Sequence, residues 1–424
     1  MKRFKSFAVI FFLFLFAFSH QVGNQLNEEA KKRAIKGRDL FNEQINPLRE
    51  NYPDIKKIQD VMNRDINKII HTEPTPPIPP TPPIITIPQK YHVNQLWKKY
   101  GYPIYISPFF AKCIGINRTE YKWEQKKAFI DFVVSNVEAN AIRMFLAIPY
   151  PKECHIPHPK RNGKYVLEEI NELWRAELYR VIKYCVDRRL HVRLIIADSS
   201  GTTVSQKRWN AHWLNPDNNH GFHGKPTYWD QYGLLKWINY AVYDGDCTPE
   251  ERERYRTNRD YFLWFFDQII PPLHAEFKDF ISLEMNEVDT ADTGHGYLGR
   301  LFQEKYKFPR WRLITSPRGV DWINEKPNIN RYWIPSVHAI YNVESYQQAV
   351  DYVTCKIFPS GDGRGNDWFN GDYEELRRLI RYVLNDGAYG FCGNNWLPDD
   401  CDFSKLDHRA AAIFMEELGK FIEN

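Results

Sequence analysis

The 424-residue chain predicts an α/β protein: a (β/α)8 TIM barrel preceded by a helical N-terminal segment and a Pro-rich linker. Three observations carry that expectation. From residue 90 onward, short runs rich in β-branched and aromatic residues alternate with helix-patterned stretches, the order of a parallel sheet with crossover helices. Eight such units in roughly 330 residues suit a closed barrel with long loops. No G-x-G-x-x-G follows the first run, so the alternative, a doubly wound open sheet, lacks a dinucleotide fingerprint.

The elements follow in chain order. Lys2, Arg3 and Lys5 precede a 12-residue apolar run, Phe7 to Phe18, with small residues at Ala17 and Ser19. This is the layout of a signal peptide over residues 1–19 and predicts a secreted or surface-displayed protein. The alternative is an uncleaved signal anchor, although the run is short for a bilayer span. Residues 20–71 read as a helical stalk or tether: Leu40, Ile45, Leu48, Ile55, Ile58, Met62, Ile66 and Ile69 recur mostly every three or four positions. Pro47 and Pro53 divide it. Homo-oligomerisation through residues 26–70 and a hairpin folded on the main body are both open. Residues 72–89, TEPTPPIPPTPPIITIPQ, fit only extended polyproline II, a stiff spacer ahead of a body at residues 90–424.

Within that body the expected strands are Tyr102 to Ala111, Asn140 to Ile148, His191 to Asp198, Phe280 to Glu287, Arg310 to Pro317, Pro335 to Asn342, Thr354 to Ser360 and Tyr389 to Trp396. Helices are expected around Trp123 to Asn136, over Glu168 to Arg188, and over Arg252 to Ile270, the last ending at Pro271-Pro272.

Composition narrows the chemistry. Net charge is +4 with acids and bases nearly balanced and only short basic clusters, so nucleic acid is not an expected partner. The 13 Trp, 25 Tyr and 27 Phe exceed ordinary core needs and suit stacking on sugar faces, although core filling accounts for most of them. Seven cysteines in an oxidising compartment leave at least one unpaired, and no CxxC pair or Cys/His cluster suggests a metal. Neither metal nor cofactor is expected.

Barrel chemistry collects where strands end. There stand Arg143, Asp198, the pair Asn286-Glu287, His338 and Tyr341, Asp362, and Trp396. Arg143 within NAIRMF, Asn286-Glu287 within EMNE and Trp396 within GNNW resemble, in type and order, the retaining glycoside hydrolases of the large (β/α)8 clan typified by cellulases and β-mannanases. His338 and Tyr341 match less closely, being separated by two residues rather than one. The resemblance covers most of residues 100 to 400 through short motifs. It implies a carbohydrate substrate, with Glu287 donating a proton and Asn286 holding a hydroxyl. Arg143, Asp198, His338, Tyr341 and Trp396 would line the substrate site, Trp396 as a stacking platform.

One departure stands out. The clan ends strand seven with a nucleophilic glutamate, whereas KIFPSGDGRG, Lys356 to Gly365, has none; Asp362 is its sole carboxylate. Glycoside hydrolysis needs one carboxylic acid and one carboxylate. Asp362 as nucleophile with retention, Asp362 as base with inversion, and a degenerate barrel that only binds carbohydrate or serves structurally all remain open. Glu284 shares its strand face with Asn286 and ranks below Glu287 as the acid. A structural ion pair inside the barrel is the alternative for Arg143. The aromatic stretch from Trp209 to Tyr243 could wall a saccharide cleft or simply pack as a lid.

Overall fold

The structure is a computed structural model. It describes residues 36, 39, 42, 43, 86–110, 123–136, 139–146, 156–198, 206–225, 248–286, 292–316, 323–324, 327–337, 340–353, 355–361, 371–396 and 408–424. The chain separates into two compact units, Met1–Pro83 and Ile84–Asn424. In the first, Lys36, Asp39, Asn42 and Glu43 are helical; the rest of the predicted stalk, the leader and the spacer up to residue 85 lie outside the described residues. The second unit is an eight-stranded parallel barrel.

Its strands are β1 (Tyr105–Phe110), β2 (Ala141–Phe145), β3 (His191–Asp198), β4 (Ile281–Asn286), β5 (Leu313–Ser316), β6 (Ile334–Val337), β7 (Phe358–Gly361) and β8 (Gly390–Trp396). Each neighbours the next in sequence, and β8 pairs with β1 to close the ring. Strand alternation divides the side chains into two populations. Ile142, Met144, Val192, Leu194, Ile281, Leu283, Met285 and Leu313 join the large core between strands and helices. A separate cluster of Val93, Tyr105, Ala141, Ile314, Ile334, Phe358 and Tyr389 includes side chains from five strands. Val93 opens helix α1 (Val93–Tyr100), and Asn94 of that helix donates to Asp279 O just before β4 begins, so α1 plugs the N-terminal end. Upstream, Ile87 is buried and its N–H bonds Arg188 O at 3.0 Å, which anchors the entering chain.

The helices show why this sequence chooses them. In α3 (Glu172–Asp187), which follows α2 (Trp123–Asn136), the buried side chains Trp174, Leu178, Val181, Ile182 and Cys185 form one helical stripe. The Asn171 side chain caps its start by accepting from the Leu173 N–H. Helix α4 (Pro249–Phe277) corrects the expected stop at Pro271-Pro272, since both prolines lie inside it. The two missing N–H groups weaken the ladder locally. Burial of Ile269, Ile270, Leu273 and Phe277 on both sides of the prolines outweighs that loss. Further along come α5 (Asp292–Arg300), α6 (Pro327–Tyr332), α7 (Val343–Tyr352), α8 (Tyr373–Asn385) and α9 (His408–Glu423). Helix α7 begins with a reciprocal Asn342/Ser345 capping box.

A further correction concerns the membrane. No helix among the described residues is long and apolar enough to cross one, which overturns the uncleaved anchor as a membrane attachment. The 12-residue run is also well short of the ~20 apolar residues a helical span needs; residues 1–19 themselves lie outside the described residues.

One buried group makes stability pH-dependent. His158 sits among Trp213, Tyr261, Trp264 and Phe265. It lies 2.8 Å from Glu169 O and 2.7 Å from the Tyr261 hydroxyl. Desolvation lowers its pKa to about 4. The folded state therefore favours the neutral ring, and the unfolded chain takes up the proton first as pH falls. Its contribution is complete above about 6.5 and declines toward about 4. At 1.36 kcal/mol per unit the loss is roughly 3 kcal/mol. Urea unfolding at stepped pH should show it, with a shallower decline in His158→Gln; an unchanged slope in that variant would assign the acid sensitivity elsewhere.

Candidate functional site

Mid-strand charge is unusual in a barrel, and here it comes from three strands. Arg143 of β2, Arg193 of β3 and Glu284 of β4 are 2%, 0% and 0% exposed. Neighbouring apolar residues on each strand face the outer core, so alternation turns these three inward. Arg143 grips Glu284 with two hydrogen bonds, Nε to Oε2 at 2.9 Å and Nη2 to Oε1 at 2.6 Å. Arg193 Nη2 donates to Oε2 from the other side at 2.9 Å. Ser316 at the end of β5 makes a longer approach, 3.4 Å from Oε1. The forked guanidinium matches a carboxylate edge, which accounts for arginine rather than lysine at 143.

The same Arg143 Nη2 donates to Asn286 Oδ1 at 2.5 Å. Guanidinium has no acceptor, so the carboxamide must present its oxygen to Arg143, leaving Nδ2 as the donor for anything else. Asn286 is the last residue of β4, and its backbone stands in register with Asp198 of β3 and Ser316 of β5. Across the ring, Trp396 ends β8 in register with Phe110, which in turn pairs with Arg143. Asp198, Asn286, Ser316 and Trp396 thus end their strands at the C-terminal rim where barrel chemistry occurs, with Arg143 mid-strand beneath them.

The sequence-predicted residues are placed as follows. Arg143 and Asn286 are brought into contact. Asp198 and Trp396 occupy strand ends, although their side chains lie outside the described residues. Glu287, His338 and Asp362 also lie outside the described residues. Tyr341 falls four positions beyond the end of β6, with its ring against the outer core and its N–H donating to Ser345 Oγ at 3.0 Å, so it helps to set the start of α7. Of the aromatic stretch after β3, Trp209 and Trp213 are buried in that same core, and Trp213 Nε1 reaches the Tyr261 hydroxyl. They pack rather than wall a cleft; Trp229 and Trp237 lie outside the described residues.

Arg193 was missed. Its signal was present, because a lone arginine inside HVRLIIAD has the same position as Arg143 inside AIRMF. Below the ion cluster a second polar set occupies the barrel: Tyr105 donates to Trp311 O at 2.9 Å and lies 2.9 Å from Ser282 Oγ, which lies 2.6 Å from His191 Nε2. One phenolic proton fixes the chain. Tyr105 spends it on Trp311, Ser282 donates to Tyr105, and His191 Nε2–H donates to Ser282. Burial pushes Tyr105 up to about 12 and His191 well below its usual range. Closed off from the rim, this set braces the barrel and does not resemble a nucleophile. Among the described residues, no group of three or more His, Cys, Asp or Glu could hold a metal ion.

Comparison with solved structures finds distant but consistent likeness to several family 5 glycoside hydrolases. One is a mutant of a family 5 mannosidase from Rhizomucor miehei, 10% identical over 80% of this chain and 99% of that one, with TM-score 0.47. Also similar is an endo-1,4-beta-mannanase from the same organism, 10% identical over 76% of this chain and 96% of that one, with TM-score 0.46. A third is a broad-specificity endoglucanase from an uncultured bacterium, 9% identical over 73% and 94%, with TM-score 0.43. No protein-family model and no curated protein matches the chain. Likeness at this distance carries no chemistry across.

Proposed function

We propose that this chain is a secreted or surface-displayed glycoside hydrolase acting on a polysaccharide or oligosaccharide, with Glu287 as general acid and Asp362 as the second carboxylate. The observation that supports it most is the Arg143–Asn286 contact inside a closed barrel. It holds the oxygen of the carboxamide that immediately precedes Glu287 in sequence, which makes Nδ2 the side-chain atom that donates. An amide so held can bind a sugar hydroxyl beside an acid that protonates the glycosidic oxygen. Asp198 and Trp396 would complete the substrate site, one binding hydroxyls and the other stacking on a ring, while the proline spacer would hold the barrel away from a surface.

The test is hydrolysis of a panel of plant, microbial and host polysaccharides by the purified chain. Glu287→Gln should lose activity by about 10²–10⁴-fold, the usual contribution of a positioned acid. Products that persist in that variant would remove Glu287 from the mechanism. The missing strand-seven glutamate favours one second reading, a carbohydrate-binding module on a degenerate barrel. Retention of a polysaccharide by the wild-type chain, with no products released from it, would establish that reading instead.

A further inference from the structure

We infer that Arg193 and Glu284 are positioning residues that aim the Asn286 carboxamide from below, an inference that rests on the proposed rim site. Among the described residues Arg193 makes no hydrogen bond to Asn286, and it is a destabilising residue to bury. Its side chain is 1% exposed, and among the described residues its Nε and Nη1 have no hydrogen-bond partner. Its guanidinium is 4.2 Å from the Phe358 ring centroid, which supplies attraction to the cation but accepts no conventional hydrogen bond. A buried donor without a partner is destabilising, and an apolar residue would pack there at less expense in free energy. Beyond its place over the Phe358 and Tyr105 rings, what Arg193 contributes among the described residues is one hydrogen bond, from Nη2 to Glu284 Oε2.

That bond completes a chain of contacts. Glu284 Oε2 is held from both sides, by Arg143 Nε and Arg193 Nη2, each at 2.9 Å. Pinned this way, the carboxylate plane cannot turn about its last side-chain torsion, so it presents both oxygens edge-on to Arg143. The Arg143 fork is thereby locked, and its Nη2 is shared between Glu284 Oε1 at 2.6 Å and Asn286 Oδ1 at 2.5 Å. Residues of three strands therefore act on the orientation of one amide. Without Arg193, Glu284 keeps Arg143 but gains torsional freedom, and the Nη2 contact to Asn286 loosens. Because Arg193 gives only one bond, a lysine can replace it; Arg143 needs its fork and cannot be replaced that way.

The experiment uses the full chain and two independent readouts. The first is a thermal double-mutant cycle between Arg193→Met and Asn286→Ala, which removes side chains that make no hydrogen bond to each other among the described residues. Non-additive losses of midpoint temperature are expected, the double variant losing less than the sum, because either change alone breaks the chain. Additive losses overturn the inference. If Arg193→Met fails to fold, Arg193→Gln takes its place in the cycle. The second readout is kinetic, on soluble glucomannan or another panel polysaccharide that the wild type hydrolyses. For Arg193→Met, kcat should fall by about ten-fold with KM within about two-fold, and Arg193→Lys should recover most of the loss. A change confined to KM, or no rescue by lysine, overturns the inference. Should the wild type hydrolyse nothing in the panel, the hydrolase reading fails by itself, and the cycle still decides whether Arg193 positions Asn286.

Discussion

Glu284→Gln should destabilise the barrel by about 3–5 kcal/mol, the usual consequence of removing one member of a buried ion pair. Glutamine keeps the shape but offers one accepting oxygen where the carboxylate now meets Arg143 Nε, Arg143 Nη2 and Arg193 Nη2. Two guanidiniums, 2% and 0% exposed, would face each other across a neutral amide in a site that water does not reach. The amide nitrogen would also point a donor at donors. Urea denaturation with a fluorescence readout measures the loss. A loss below about 1 kcal/mol, the range of exposed ion pairs, would mean that solvent enters the barrel and the cluster is not dry.

The complementary result separates stability from purpose. Replacing all three charges together, by Met at 143 and 193 and Leu at 284, should restore most of what Glu284→Gln loses, because well-packed apolar residues often match or exceed a buried ion triad. Such a variant would fold yet leave Asn286 without the donor that now orients it. The ion cluster therefore reads as a geometric device at the foot of the rim, where stability alone would favour leucine or methionine.

Much of this was legible in the sequence. Alternation and β-branched runs predicted eight strands, and His191–Asp198 has the same bounds in both readings. The Asn286 strand, Ile281–Asn286, lies one residue inside the predicted bound at each end. Period-two spacing placed Glu284 on the Asn286 face, and both do touch Arg143. What the sequence hid were contacts between distant segments. A local proline rule ended α4 early because the burial of Leu273 and Phe277 is supplied by other parts of the chain. Trp209 and Trp213 suggested a saccharide wall because nothing local reveals that Tyr261 and His158, separated from Trp213 by about fifty residues on either side, close over it. Arg193 stands mid-strand rather than at a strand end, and its effect on the rim passes through Glu284, a contact that no local pattern reveals.

Gly390→Ala should destabilise the barrel by about 4 kcal/mol or more, in the range reserved for named mechanisms. Two independent penalties meet there. Gly390 has φ +101°, a conformation L side chains rarely adopt. A Cβ would also stand 2.3 Å from Tyr105 O and 2.5 Å from Tyr105 N, and backbone cannot swing aside as a side chain would. The collision falls on the first register pair of β8 with β1, Gly390 against Tyr105, where the ring of strands closes. Moving Tyr105 disturbs more than that pair, because its hydroxyl bonds Trp311 O and Ser282 and its ring fills the inner cluster. Gly101 supplies the control. It ends α1 with φ +74°, yet nothing lies within 4 Å of its would-be Cβ. Gly101→Ala should therefore pay only the left-handed strain, about 1 kcal/mol. Thermal unfolding of the two variants side by side isolates the steric part, and equal losses would show that β8 and β1 can separate without disturbing the fold.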